Sequence, residues 1–64
     1  MHYIVLNGKS DGGRIAFNMD AIVAVEEKKS LYDNYSTIWV DSDAEVDVTQ
    51  TFDEISDAVT RMSL

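Results

Sequence analysis

The sequence predicts an α+β domain, an antiparallel β-meander of four to five strands with one C-terminal helix packed on the sheet. Three observations carry this expectation. Short β-branched and aromatic runs recur along the first 26 residues, separated by turn-forming residues. Residues 36–49 alternate apolar and polar side chains with a period of two. Thr51-Phe52-Asp53-Glu54 has the spacing of a helix-capping box. At 64 residues, one domain spanning 1–64 is the expected organisation.

Taken in order, His2, Tyr3, Ile4, Val5 and Leu6 read as the first strand. Asn7-Gly8-Lys9-Ser10-Asp11-Gly12-Gly13 contains all 3 glycines and reads as a loop. Arg14-Ile15-Ala16-Phe17-Asn18 forms a second strand, with Ile15 and Phe17 on one face, and Asn18-Met19-Asp20 a turn. Ala21-Ile22-Val23-Ala24-Val25-Glu26 is a third strand by its length and Val/Ile content. Residues 26–35 show no clear period and read as a long polar loop, with a helical turn seeded by Glu26-Glu27-Lys28-Lys29 as the alternative, and carry Leu31, Tyr32 and Tyr35. These three either fold back on the core edge or form a contact loop.

Ile38 and Val40 alternate with Thr37, Trp39 and Asp41, and Val46 and Val48 with Glu45, Asp47 and Thr49. A hairpin must place both apolar sets on one face, so its loop has an odd number of residues. The shortest version turns at Ser42-Asp43-Ala44 and pairs Asp41 with Glu45, Trp39 with Asp47 and Thr37 with Thr49. In the helix, Phe52, Ile55, Val59 and Met62 recur with Ala58 as one apolar stripe. Asp53 and Glu54 suit the positive end of its dipole and Arg61 the other end.

Composition excludes several classes. Five Lys+Arg against 12 Asp+Glu give a net charge of -7, which argues against direct nucleic-acid binding. The chain contains no Cys, which excludes a disulfide scaffold and a cysteine zinc site. No apolar run approaches the roughly 20 residues that span a bilayer, and the N-terminal residues do not resemble a signal peptide. A cytoplasmic location without membrane association is therefore expected. His2 is the only histidine, and no phosphate-loop spacing or nucleophile–base arrangement is present. Neither a catalytic role nor a cofactor is expected.

The charge is divided unevenly. Four acidic residues balance four basic ones up to Lys29, whereas eight acidic residues face Arg61 alone beyond it. Asp41, Glu45 and Asp47 share the hairpin face opposite the core, with Asp43 at its tip and Asp53 at the helix start. Such clustering serves solubility, a basic partner or a cation. The spacing Asp41-x-Asp43-x-Glu45 matches the start of an EF-hand loop. That loop, however, requires Gly and Glu where this chain has Val46 and Phe52, so no metal site is expected. Trp39, on the same face, either covers a small second core or dimer seam, or anchors a partner.

Leu6-Asn7-Gly8, Phe17-Asn18-Met19-Asp20-Ala21-Ile22, Val25-Glu26, Thr37-Ile38-Trp39-Val40, and Val48 ahead of Thr51-Phe52-Asp53-Glu54-Ile55 together resemble the pattern of FlbD-type small proteins. These occur in bacterial flagellar operons, and similar small proteins are found in phage genomes. The resemblance covers most of the chain. It implies a meander-plus-helix fold and carries over no catalytic residue. The segment between Glu26 and Thr37 and the glycine loop are longer here than in that pattern. The expected function is a non-enzymatic accessory or inhibitor protein, in a phage setting, that imitates nucleic acid with its acidic face and occupies a basic surface of a protein partner. The expected contact residues are Asp41, Asp43, Glu45, Asp47, Asp53, Trp39, Tyr32 and Tyr35. The alternative is a FlbD-like assembly protein, homodimeric through Trp39 or an edge strand.

Overall fold

Strands β1 (Tyr3–Asn7) and β2 (Arg14–Asn18) form one antiparallel sheet. Strands β3 (Ile22–Lys29), β4 (Asn34–Val40) and β5 (Glu45–Val48) form a second, in the order β3-β4-β5. Helix α1 (Phe52–Met62) follows. This computed structural model describes residues 2–41 and 43–62. The α+β class and the helix packed on sheet are as the residue pattern predicts.

A short seam joins the two sheets. Gly8 lies antiparallel to Val48, the Lys9 amide donates to the Asp47 carbonyl at 2.9 Å, and the Thr49 amide donates to the Asn7 carbonyl at 2.8 Å. Side chains close it further. The Asn7 amide donates to Gln50 Oε1, and Gln50 Nε2 donates back to Asn7 Oδ1, both at 2.9 Å. Across this seam the strands run β2-β1-β5-β4-β3. Ile4, Leu6, Phe17, Ile38, Val48 and Ile55 are buried together on the inner side. They come from β1, β2, β4, β5 and α1, so neither sheet has a core without the other.

The turns follow side-chain chemistry. Gly8 and Gly13 close the first hairpin, and Gly12 occupies the left-handed region at φ 74, which favours a residue without Cβ. Asp11 Oδ1 accepts from the Gly13 amide at 2.9 Å. Between β2 and β3, Asn18 Oδ1 accepts from the Asp20 amide at 2.9 Å and starts a single 3-10 turn. The capping box forms as expected. Glu54 N donates to Thr51 Oγ1 at 3.2 Å, and Thr51 N donates to Glu54 Oε1 at 3.0 Å.

Three expectations are corrected. Residues 26–35 are not a long loop: β3 runs to Lys29 and β4 begins at Asn34, leaving Leu31 and Tyr32 at the tip of a tight hairpin. Its polar residues line the outer half of a ribbon that covers no core on either side, so no apolar period is required. Ser30 replaces the usual glycine signal. Its Oγ accepts from the Asp33 amide at 3.1 Å and donates to Asp33 Oδ1 at 2.7 Å.

The β4–β5 register is shifted by two residues. Thr37 lies opposite Asp47, Ile38 opposite Val46 and Trp39 opposite Glu45. The Val40 amide donates to the Ala44 carbonyl at 3.0 Å, so Ala44 closes the turn. Asp43 adopts φ 64, a conformation that aspartate tolerates better than most residues. A shift of two preserves the faces, which is why the alternation was informative while the exact pairs were not. Ser42, placed in the expected loop, lies outside the described residues. Finally, Ile55 carries the helix packing at 3% exposure, with Val59 and Met62 half-buried, whereas Phe52 remains 39% exposed.

Gln50→Ala should destabilise the fold by about 1–3 kcal/mol, because the partly buried Asn7 amide loses its acceptor. Asn7→Ala combined with Gln50→Ala should cost less than the two singles together, in urea unfolding analysed as a double-mutant cycle. Thr51→Ala should cost about 1 kcal/mol through loss of the cap. Ile55→Ala should cost about 2–5 kcal/mol, and Phe52→Ala clearly less.

Candidate functional site

The outer face of the three-stranded sheet carries the chemically varied side chains. Tyr35, Thr37 and Trp39 alternate along β4. Glu26 on β3 and Asp47 on β5 stand on either side of Thr37. Thr37 is only 1% exposed even though it faces away from the core. Its Oγ1 donates to Asp47 Oδ1 at 2.7 Å. Trp39 Nε1 donates to Glu26 Oε1 at 3.2 Å, and Lys28 Nζ approaches the same oxygen at 3.5 Å. Trp39 and Tyr35 are half-buried. The face is thus a polar second layer built over β4, and Trp39 is one of its parts.

Lys9 reaches this face from the glycine loop. Its ammonium sits 4.7 Å from the centre of the Tyr35 ring and 3.2 Å from Asp33 Oδ2. Lys9 and Glu26 were not among the expected contact residues. Their roles depend on the seam and the β3–β4 register, and neither has a local sequence signal.

The eight expected contact residues do not form one patch. Asp41, Asp43 and Glu45 cluster around the β4–β5 turn, all exposed, with Trp39 directly opposite Glu45. Asp47 is next along β5 but is engaged by Thr37. Tyr32, at 94% exposure, lies at the other end of β4. With seven residues in β4 at ~3.3 Å each, it is roughly 23 Å from the turn. Tyr35 lies under Lys9, in the mixed-charge half of the face. Asp53 lies in the first turn of α1, away from the outer sheet face.

The ion pairs sort the carboxylates. Among the described residues, Lys9 pairs with Asp33, Lys28 with Glu26 and Lys29 with Glu27. No carboxylate from Asp41 to Asp57 has an ion pair among the described residues. Nor do any three His or acidic side chains among them converge as metal ligands would. A concave surface of about 650 Å³ lies between the glycine loop and β5. It is lined by Lys9, Asp11 and Arg14 on one side and Glu45 and Asp47 on the other. No described helix is long and apolar enough to cross a membrane.

Asp33 has a lowered pKa. The hydrogen bond from Ser30 is the main cause, and that from Lys9 adds to it. Both favour the ionised carboxylate.

No family model, curated protein or solved structure matches this chain.

Because the folded pKa of Asp33 is depressed, its contribution to hairpin stability is present above the ordinary value of 3.8 and is lost as pH falls through the lower folded value. Ser30→Ala should return the Asp33 titration, followed by carboxyl NMR, towards 3.8. Trp39→Phe should leave the fold intact, whereas Trp39→Ala should lower stability by about 1–3 kcal/mol, measured by thermal unfolding, because a half-buried aromatic ring is lost from the outer sheet face.

Proposed function

We propose that this chain is a non-enzymatic protein-binding accessory that presents its unpaired carboxylates to a basic surface of a protein partner. The separation of paired from unpaired charge supports this reading. The lysines of the first half engage Asp33, Glu26 and Glu27 and leave the carboxylates from Asp41 onward without an ion pair among the described residues. Asp41, Asp43 and Glu45 stand exposed at one turn, and Asp53, Glu54 and Asp57 are exposed on α1. A field of one sign steers a partner of the opposite sign and excludes like-charged ones. Carboxylates spaced along a turn and a helix start can take the place of phosphates in a groove built for nucleic acid, which makes an inhibitor that works by occupancy.

The geometry refines the contact set. The principal contacts are Asp41, Asp43 and Glu45, with the exposed edge of Trp39 beside them. Asp47 supports the face through Thr37, and Tyr32 belongs to a different end of the molecule.

The test uses immobilised protein to capture a partner from host lysate, followed by kinetics with the purified pair. Asp41→Asn, Asp43→Asn and Glu45→Gln together should slow association by about tenfold with little change in folding stability, since each of these side chains is exposed. Raising salt to about 0.5 M should weaken the complex, because the Debye length falls below about 5 Å. An oligonucleotide should compete if the occupied groove takes nucleic acid. A partner whose affinity ignores both salt and the three neutralisations would overturn the proposal.

A further inference from the structure

We infer that the outer edge of β3 is a homodimer interface, in which β3 pairs antiparallel with β3 of a second copy about a two-fold axis at Lys28. Strand β3 ends the sheet order and bonds only to β4. The Ser30 amide donates to the Asp33 carbonyl and closes the hairpin. Counting back along the register, Lys28 and Glu26 turn their peptide groups towards β4. Val25, Glu27 and Lys29 therefore turn theirs outward. Among the described residues, no other strand bonds to them.

The side chains on this edge are self-complementary. A two-fold pairing must match outward-facing residues with one another, so the axis falls on a residue and not between two. With the axis at Lys28, Glu27 lies opposite Lys29 of the second copy, twice over, so the loose pair that the two make within one chain at 4.0 Å gains a second partner across the axis. Beyond that pair the chain of the second copy turns at Ser30, which brings its hairpin tip, with Leu31, alongside Val25. Leu31 is 94% exposed at the hairpin tip, with nothing of its own chain to cover it. Val25 borders an apolar groove of about 220 Å³, lined also by Phe52, Ile55 and Val59. Each tip therefore brings an uncovered leucine to the other copy's uncovered groove. The two Lys28 ammoniums at the axis are each accompanied by their own Glu26 at 3.5 Å. An axis at Glu27 would instead place Glu27 against itself and Val25 against Lys29.

Charged residues on an edge strand ordinarily deter pairing. The order Glu26-Glu27-Lys28-Lys29 deters most strands but accepts its own antiparallel copy, and so selects the partner. A contact that uses the same patch on both copies closes as a dimer and does not propagate. The joined sheets would run β5-β4-β3-β3-β4-β5, leaving both acidic turns free at the far ends of β4.

Sedimentation equilibrium at about 0.15 M salt, where net repulsion is screened beyond about 8 Å, should give twice the 7.2 kDa chain mass. Lys29→Glu or Glu27→Lys alone should weaken the dimer roughly tenfold, because each creates two like-charge pairs. The two substitutions together should restore it, and Leu31→Ser should weaken it in either background. Far-UV circular dichroism confirms that each variant remains folded. A wild-type chain that stays monomeric to about 1 mM would overturn the inference. So would a dimer indifferent to the single reversals, or one that the double exchange fails to restore.

Discussion

The fold depends on the seam where Asn7, Gly8 and Lys9 meet Asp47, Val48 and Gln50. Neither a two-stranded hairpin nor a three-stranded meander of this size encloses a core. Such small sheets gain stability only when an apolar face is covered. The seam turns the inner faces towards each other, so that Ile4, Leu6 and Phe17 share one interior with Ile38, Val48 and Ile55. The reciprocal Asn7–Gln50 bonds satisfy amide groups that would otherwise lose water at this junction. Thr51 follows Gln50 directly and caps α1, so the helix starts beside the seam.

The same junction carries Lys9 across to the outer sheet face. There it satisfies Asp33 and covers Tyr35, and the two lysines of β3 are taken up by neighbouring glutamates. Three of the five basic residues are thus gathered around one half of the three-stranded sheet. The carboxylates of the β4–β5 turn and of α1 are left without an ion pair among the described residues, Glu54 being held by Thr51 in the capping box. Surface ion pairs of this kind add little to stability, with a median of about 0–1 kcal/mol. Their larger effect is on the shape of the electrostatic field, which decides what can approach.

The β3–β4 ribbon extends beyond the core and owes its order to backbone pairing and to the Ser30–Asp33 turn. It gains no apolar burial at its tip, where Leu31 and Tyr32 are exposed. Its projecting end and its unpaired edge are the parts of the molecule that its own core cannot satisfy. The acidic turn lies at the opposite end of β4, so the molecule offers two separate surfaces of different chemistry, an acidic turn and an unpaired strand edge.

Local chemistry alone determined a good deal of this protein. The capping box, the glycine loop, the Asn18 turn and the alternation of residues 36–49 each act through neighbours a few residues away, so spacing was enough to read them. The helix span, the strand faces and the uneven charge were legible for that reason. Tertiary structure decided the rest. The β4–β5 register could slip by two without changing any face, and only the left-handed Asp43 and the Val40–Ala44 closure selected the pairing. The ribbon at 26–35 was invisible because its residues are polar on both faces and a serine stands in for the usual turn glycine. Asn7 with Gln50, Lys9 with Asp33, and Trp39 with Glu26 lie 13 to 43 residues apart in the chain. No local pattern marks such pairs, because each exists only once the strands have brought its two ends together.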